Sequence, residues 1–258
     1  MISLLDAVKP YVSNFKGIRL STRPDYIDDE ILTILKDYGV TTIELGAQSM
    51  DDFVLASNNR GHSAQDVKDV SRLIKQYGFS LGLQMMTGLY KADFESDMYT
   101  ADEFVKLSPD CVRIYPTVIM KDTDLADLYL NKEYTPYTLD ESVELCAQII
   151  EFFYENNIDI IRVGLHYSDS LIEGSIGGNY HPAFKELCEN KIFLNKILKS
   201  IINVNSKDII VTVNPSSVSK MIGQNKSNLN KLTDMGYKVK VERDKNFKKY
   251  DLSVKDNR

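Results

Sequence analysis

The 258-residue sequence has no tryptophan, only three cysteines and only three histidines. Cys111, Cys146 and Cys188 lie 35 and 42 residues apart. None belongs to a CxxC or similar ligand pair, and an odd count at wide spacing argues against a disulfide framework. Cys146 sits among Val143, Ile149 and Ile150 on a helical face, which reads as burial. His62, His166 and His181 are equally scattered, so no local metal site is legible. No apolar run approaches the roughly 20 residues of a membrane span. The start lacks the basic region and cleavage site of a signal peptide, which makes the cytoplasm the expected location.

What is present is ordinary in bulk. Hydrophobic residues make up 43% and charged residues 26%, the balance of a soluble globular protein. The length suits one large domain, or one domain with a small appendage. The net charge of −6 is uneven: residues 1–200 carry 19 Lys/Arg against 31 Asp/Glu, and residues 201–258 carry 12 against 6. A basic end on an acidic body either meets a polyanion or is solvated surface.

Strand-like and helix-like segments alternate. "GIRLST" (17–22), "TTIEL" (41–45), "FSLGLQMM" (79–86), "CVRIYPTVI" (111–119) and "DIIRVGLHY" (159–167) read as strands. Helices lie between them. One has Asp28 near its start and Gly39 as a stop. Another starts at Ser63 with Asp66 as a variant capping box, and Thr138 with Glu141 caps a third. Thr100 with Glu103 also reads as a capping box. Strands separated by such helices imply a parallel sheet, open or closed. Gly-rich "EGSIGGNYHP" (173–182) reads as a loop or lid. Residues 2–9 predict a short helix with Leu4, Leu5 and Val8 inward. "DIIVTV" (208–213), a helix from about Ser216 to Leu232 and "YKVKVER" (237–243) form a small basic α/β appendage.

In parallel sheets and barrels, ligands bind at the carboxyl ends of the strands. Those ends hold Ser21, Thr22 and Arg23; Gln48 and Ser49; Gln84, Thr87 and Gly88; Tyr115 and Thr117; His166 and Tyr167. Arg23 suits a carboxylate and Gln48 suits ribose hydroxyls. Glu44 lies inside its strand and faces either the interior or the helices. No activated nucleophile or carboxylate dyad is among the ends. They are built for binding a polar ligand, or are ordinary strand-end polarity.

Four motifs, "STRPDYID", "IELGAQSMDDFVLASNNRGHS", "GFSLGLQMMTGLY" and "VRIYPTVIMKDTDLADLY", resemble in order and spacing the radical S-adenosylmethionine enzymes. The branch most resembled contains the catalytic subunit of the tRNA-modifying Elongator complex, with oxygen-independent coproporphyrinogen oxidases as more distant relatives. The resemblance covers roughly residues 1–190. It implies a partial (β/α)6 barrel over residues 1–195, here lacking its first two strands, and a separate small α/β domain over 196–258. It also implies the family's S-adenosylmethionine and [4Fe–4S] cluster, which together generate a 5′-deoxyadenosyl radical.

By that resemblance Gln48 and Arg60 bind S-adenosylmethionine. Ser21, Thr22 and Arg23 line the pocket, Gln84 stands where some relatives have an acidic ribose contact, and Tyr115 lies beside the adenine. The family's CxxxCxxC cluster loop does not occur, so the chain is expected to hold no cluster and the sequence reads as an N-terminally truncated member. The full-length protein is expected to act on RNA, as tRNA. The alternative is a non-catalytic nucleic-acid-binding barrel remnant. "VSKMIGQNKSNLNKL" resembles the Ile-Gly-x-x-Gly turn of KH-type RNA-binding modules, with Lys226 in place of the second glycine. That implies phosphate contacts at Lys220, Gly223 and Lys226. Self-association through an exposed sheet edge is a further expectation.

Overall fold

A computed structural model describes residues 1–257 and divides them into two compact units. The first comprises Met1–Ser142 and Phe152–Tyr180. The second comprises Val143–Glu151 and the chain from His181 onward.

The first unit opens with α1 (Ile2–Val8), of which only Leu5 is buried. Leu4 is 72% and Val8 42% exposed, so the inward stripe expected for this helix is not formed. Then follow β1 (Ile18–Thr22), α2 (Asp29–Asp37), β2 (Val40–Gln48), α3 (Asp52–Ser57), α4 (Ala64–Gln76), β3 (Ser80–Thr87) and α5 (Phe94–Leu107). β4 (Cys111–Pro116), β5 (Val118–Met120), α6 (Asp124–Leu130), β6 (Asp159–Val163), α8 (Asp169–Gly174) and β7 (Ser175–Gly178) complete it, while of α7 (Leu139–Glu155) the stretch Val143–Glu151 belongs to the second unit. The strands β1-β2-β3-β4-β6 form one parallel sheet in that order, an open sheet with β1 and β6 at its edges.

The sheet has two unlike faces because side chains alternate along a strand. Ile43, Leu45 and Ala47 of β2, Leu81, Leu83 and Met85 of β3, and Val112 and Ile114 of β4 are fully buried. They face Leu32 and Leu35 of α2, Val67 and Ile74 of α4, and Phe104 of α5, also fully buried. Each such side chain removed from water contributes about 1.5–3 kcal/mol, so this layer is the main hydrophobic stabiliser of the unit. The other face carries polar side chains, among them Glu44, Gln84 and Arg113.

Three local expectations are corrected. Helix α5 starts at Phe94, where Asp93 and Ser96 form the capping box. Thr100 is therefore inside the helix, and its hydroxyl donates to the Ser96 carbonyl at 3.0 Å. The Gly-rich segment contains β7, which pairs antiparallel with β5. Gly178, at φ +90°, lies so close to the Thr117 carbonyl that a Cβ would sit 2.6 Å from it. The strand predicted over 111–119 is two, β4 and the separate β5.

The second unit contains α9 (Phe184–Ser200), β8 (Asp208–Val213), α10 (Val218–Ile222), α11 (Ser227–Asp234), β9 (Lys238–Arg243) and β10 (Leu252–Asp256). β8 is central, parallel to β9 and antiparallel to β10. The single helix expected over 216–232 is broken in two. Gly223 at φ +83°, Asn225 at +52° and Lys226 at +61° turn the chain between α10 and α11. Gly223 is required there, because a Cβ would lie 2.9 Å from the Asn228 nitrogen.

Candidate functional site

One carboxylate organises the polar face. Glu44 on β2 is 1% exposed and accepts from Arg19 of β1 (2.9 Å), Gln84 of β3 (2.9 Å) and Arg113 of β4 (2.5 and 3.0 Å). Gly82 of β3 makes room for it, since a Cβ there would lie 2.6 Å from Glu44 Cγ. Burial pushes the Glu44 carboxyl up. The hydrogen bonds from Arg113, Gln84 and Arg19 outweigh this and hold it below the usual carboxylate range. Arg113 is raised in turn by its bond to Glu44. Gln84 also donates to Ser21 Oγ at 2.9 Å, and Arg113 Nη1 to the Tyr115 hydroxyl at 3.4 Å.

Nearer the carboxyl ends, β2 finishes irregularly. Its pairing with β3 shifts between Leu45 and Gln48. Gln48 takes φ +67°, a left-handed conformation that costs about 1 kcal/mol in a residue with a Cβ. Its carboxamide folds back over Gly46, where a Cβ would meet Gln48 Nε2 at 2.8 Å. Thr22 follows Ser21 on the alternate side of β1, and only its backbone oxygen lies near Gly46.

The loop after α3 brings a guanidinium to this place. Asn58 Nδ2 donates to the carbonyls of Val54 (2.7 Å) and Tyr90 (2.8 Å). His62, 7% exposed, meets the Ala47 carbonyl at 3.0 Å through Nε2. A carbonyl only accepts, so Nε2 carries the proton and Nδ1 is left buried without a partner. Between these anchors Arg60 is half-buried; its backbone N–H donates to the Leu55 carbonyl, and among the described residues its guanidinium hydrogen-bonds only to the Met86 thioether, at 3.7 Å. Desolvation, with the nearby Arg23 charge, pulls its pKa down. Arg23 is differently placed: it forks onto Asp25 at 2.9 and 2.6 Å and lies over the Tyr26 ring. Its charge is already matched.

The strand ends therefore bring Ser21, Gln48, Arg60, Gln84 and Tyr115 to one face. Thr22 points elsewhere, and Arg23 is occupied. Sequence reasoning missed Arg19, Arg113 and Arg162 as members of this face. The signal was available: each is a lone arginine between apolar neighbours within a strand, which burial tolerates only with a partner.

Two family models match the chain in succession: the Radical SAM superfamily over residues 2–103 and the Radical_SAM C-terminal domain over residues 109–193. The chain belongs to the radical SAM superfamily. Among its relatives, human Elongator complex protein 3 is 34% identical over 137 residues, covering 52% of this chain and 25% of that protein. The tRNA uridine(34) acetyltransferase of Methanocaldococcus jannaschii is 30% identical over 131 residues, covering 50% and 24%. The chain thus spans about a quarter of the curated relatives it matches. The solved structure of archaeal Methanocaldococcus infernus Elp3, with an N-terminal deletion, has a TM-score of 0.64 at 24% identity over 70% of this chain and 42% of that one. It shares the radical SAM fold, here as the open five-stranded sheet.

The family's two cofactors meet different residues in this radical SAM chain. S-Adenosylmethionine fits the polar face: a half-buried guanidinium without a carboxylate partner lies beside carboxamides and hydroxyls at the strand ends. The [4Fe–4S] cluster does not fit. Cys111 stands on β4 of the first unit, whereas Cys146 of α7 and Cys188 of α9 meet side chain to side chain in the second, and all three are buried. No group of three or more His, Cys, Asp or Glu among the described residues is arranged to hold a metal ion. No described helix is long and apolar enough to cross a membrane.

In the second unit the KH-like turn exposes Lys226. Lys220 turns inward onto Glu189 Oε2 at 2.9 Å. Glu189, 5% exposed, also accepts from the Tyr250 hydroxyl at 2.7 Å and from Lys249 at 3.1 Å. Gly223 is buried beneath the turn.

Proposed function

We propose that the first unit binds S-adenosylmethionine at the carboxyl ends of β1 to β4. Arg60 takes the ligand carboxylate, Gln48 and Ser21 take ribose or amino groups, and Gln84 and Tyr115 line the side toward β4. Arg23 and the backbone of Thr22 form the rim. The observation that carries the reading is the half-buried Arg60 guanidinium, whose sole hydrogen-bond partner among the described residues is a thioether. Partial burial of a cation without an anion is unfavourable, and a carboxylate restores the charge-assisted bonds. The bound ligand supplies a sulfonium with a cleavable carbon–sulfur bond. The protein supplies the carboxylate clamp, the amide and hydroxyl contacts, and the fixed polar floor around Glu44.

We further propose that an Elongator-like protein containing this sequence acts on a tRNA. The matched relatives include one named for acetylating tRNA uridine 34. Equilibrium dialysis with S-adenosylmethionine tests the binding site. Arg60→Gln should weaken retention at least tenfold, and Arg60→Lys by less. Equal retention by all three proteins would remove Arg60 from the site.

A second reading, a nucleic-acid-binding protein without catalysis, draws on the second unit. The left-handed turn through Lys226 exposes that lysine in the basic part of the chain. RNA affinity of the full chain should fall with salt, and Lys226→Glu should lower the slope of log affinity against log salt by about 1.

A further inference from the structure

The polar face holds more cations than one ligand carboxylate can use. Arg19 and Arg113 are matched by Glu44, and Arg23 by Asp25. Arg60 is assigned above. Arg162 remains. It stands on the last strand of the sheet as the register partner of Arg113, so both project from the same face.

No described carboxylate pairs with Arg162. Its partner is the His166 imidazole: Nη2 meets both ring nitrogens, Nδ1 at 2.8 Å and Nε2 closer still. A guanidinium has no acceptor, so the imidazole must accept, and two basic groups are held together with no anion between them. Gly164 at φ +81° makes the turn that returns His166 toward Arg162. The next residue, Tyr167, is 68% exposed, and its hydroxyl is tied to Asp169 at 2.8 Å. An exposed aromatic residue thus directly follows His166 in the chain.

S-Adenosylmethionine carries a single carboxylate alongside a sulfonium and an ammonium. Met86, where Arg60 lies, is on β3, and Arg162 is on β6, two strands further along the sheet. Neighbouring strands are about 4.8 Å apart, so the two positions are roughly 10 Å apart. One carboxylate cannot serve both. Arginine beside histidine matches the oxygens of a phosphate, and an exposed tyrosine beside them gives a face on which a base stacks.

We infer that Arg162 and His166 bind a phosphate of the nucleotide substrate, with Tyr167 stacking on its base, at the β6 side of the sheet. This rests on the reading that Arg60 takes the cofactor carboxylate. It assigns the substrate to the opposite side of the face. It also gives the substrate a chemical class, a single-stranded nucleotide with an accessible phosphate.

The test uses the full chain and three probes: uridine, uridine 5′-monophosphate and a uridine trinucleotide, each titrated by calorimetry. The wild type should bind both phosphate-bearing probes at least tenfold more tightly than uridine. Arg162→Gln should close that gap, Arg162→Lys should close it partly, and Tyr167→Ala should weaken all three about tenfold. Tyr167 is exposed, so its variant reads out binding even where an Arg162 variant folds poorly. S-Adenosylmethionine retention should be unchanged in Arg162→Gln and in Tyr167→Ala. Tighter binding of the trinucleotide than of the monophosphate assigns the phosphate to a strand, and the reverse assigns it to a free nucleotide. An undiminished phosphate preference in folded Arg162→Gln, or a Tyr167→Ala protein that binds all three as the wild type does, would overturn the inference. If the wild type retains no S-adenosylmethionine yet shows the phosphate gap, the cofactor reading fails and the phosphate site stands.

Discussion

Arg113 and Glu44 meet fork to fork on the polar face of the sheet, Nε to Oε2 at 2.5 Å and Nη2 to Oε1 at 3.0 Å. The carboxylate is buried while Arg113 is partly open and Arg19 more so. Glu44 is thus the hub on which Arg19, Gln84 and, through Arg113, Tyr115 depend. Removing it leaves partly buried cations unmatched, which costs about 3–5 kcal/mol for a fully buried pair. Solvent at Arg19 discounts that figure. Glu44→Ala should lose roughly 2–4 kcal/mol in urea unfolding. Glu44→Gln, which keeps one acceptor, should lose less. A midpoint unchanged in Glu44→Ala would show the network to be ornamental to stability.

Two carboxyls should give stability opposite slopes against pH. Glu44 is depressed in the folded protein, so its contribution is present above the unfolded value of about 4.3 and is lost as pH falls through the folded value. Asp97 of α5 is the reverse. It is 2% exposed, it accepts from the Gly88 N–H at 2.8 Å, and burial pushes its carboxyl up to about 7. Its raised value favours the folded state below the unfolded pKa of about 3.9, and that advantage is lost as pH rises to 7. Asp97→Asn keeps an acceptor for Gly88 and has no proton to lose. Relative to the wild type it should gain stability across pH 4–7, by roughly 2–4 kcal/mol at the upper end. Parallel stability–pH curves for the two proteins would contradict the assignment.

Gly46→Ala separates binding from folding. The added methyl would meet the Gln48 carboxamide at 2.8 Å, the end of a flexible side chain. The fold should tolerate it within about 1 kcal/mol, because the amide can swing away. S-Adenosylmethionine affinity should drop about as far as in Gln48→Ala. Dialysis and urea unfolding on the same preparations check both halves.

The strands and their carboxyl ends were legible because apolar runs bounded by Gly, Asp and Ser carry their own signal. What was not legible depended on partners far away in sequence. Glu44 has no preference for one face until Gly82 and Arg113 are placed beside it. Thr100 and Glu103 have cap spacing, yet Asp93 and Ser96 start the helix seven residues earlier at a better cap. β7 has the composition of a loop and becomes a strand only because β5 offers it a backbone edge. Arg60 was legible through its resemblance. Arg162 was overlooked, although it stands between Ile161 and Val163 as Arg113 stands between Val112 and Ile114.

Anaerobic incubation with iron and sulfide tests the misfit of the cluster. Cys146 and Cys188 adjoin one another but no three ligands are gathered among the described residues, so this chain should acquire no stoichiometric [4Fe–4S] absorbance. Stoichiometric iron and sulfide, lost on Cys→Ala substitution, would show that the cysteines can be gathered to one site.

The most direct measurement is hydrogen–deuterium exchange of the full chain with and without S-adenosylmethionine. The account predicts protection concentrated at residues 46–50, 58–62 and 84–88, where Gln48, Arg60 and Gln84 lie, and its loss in Arg60→Gln. Protection elsewhere, or none at saturating ligand, would contradict it.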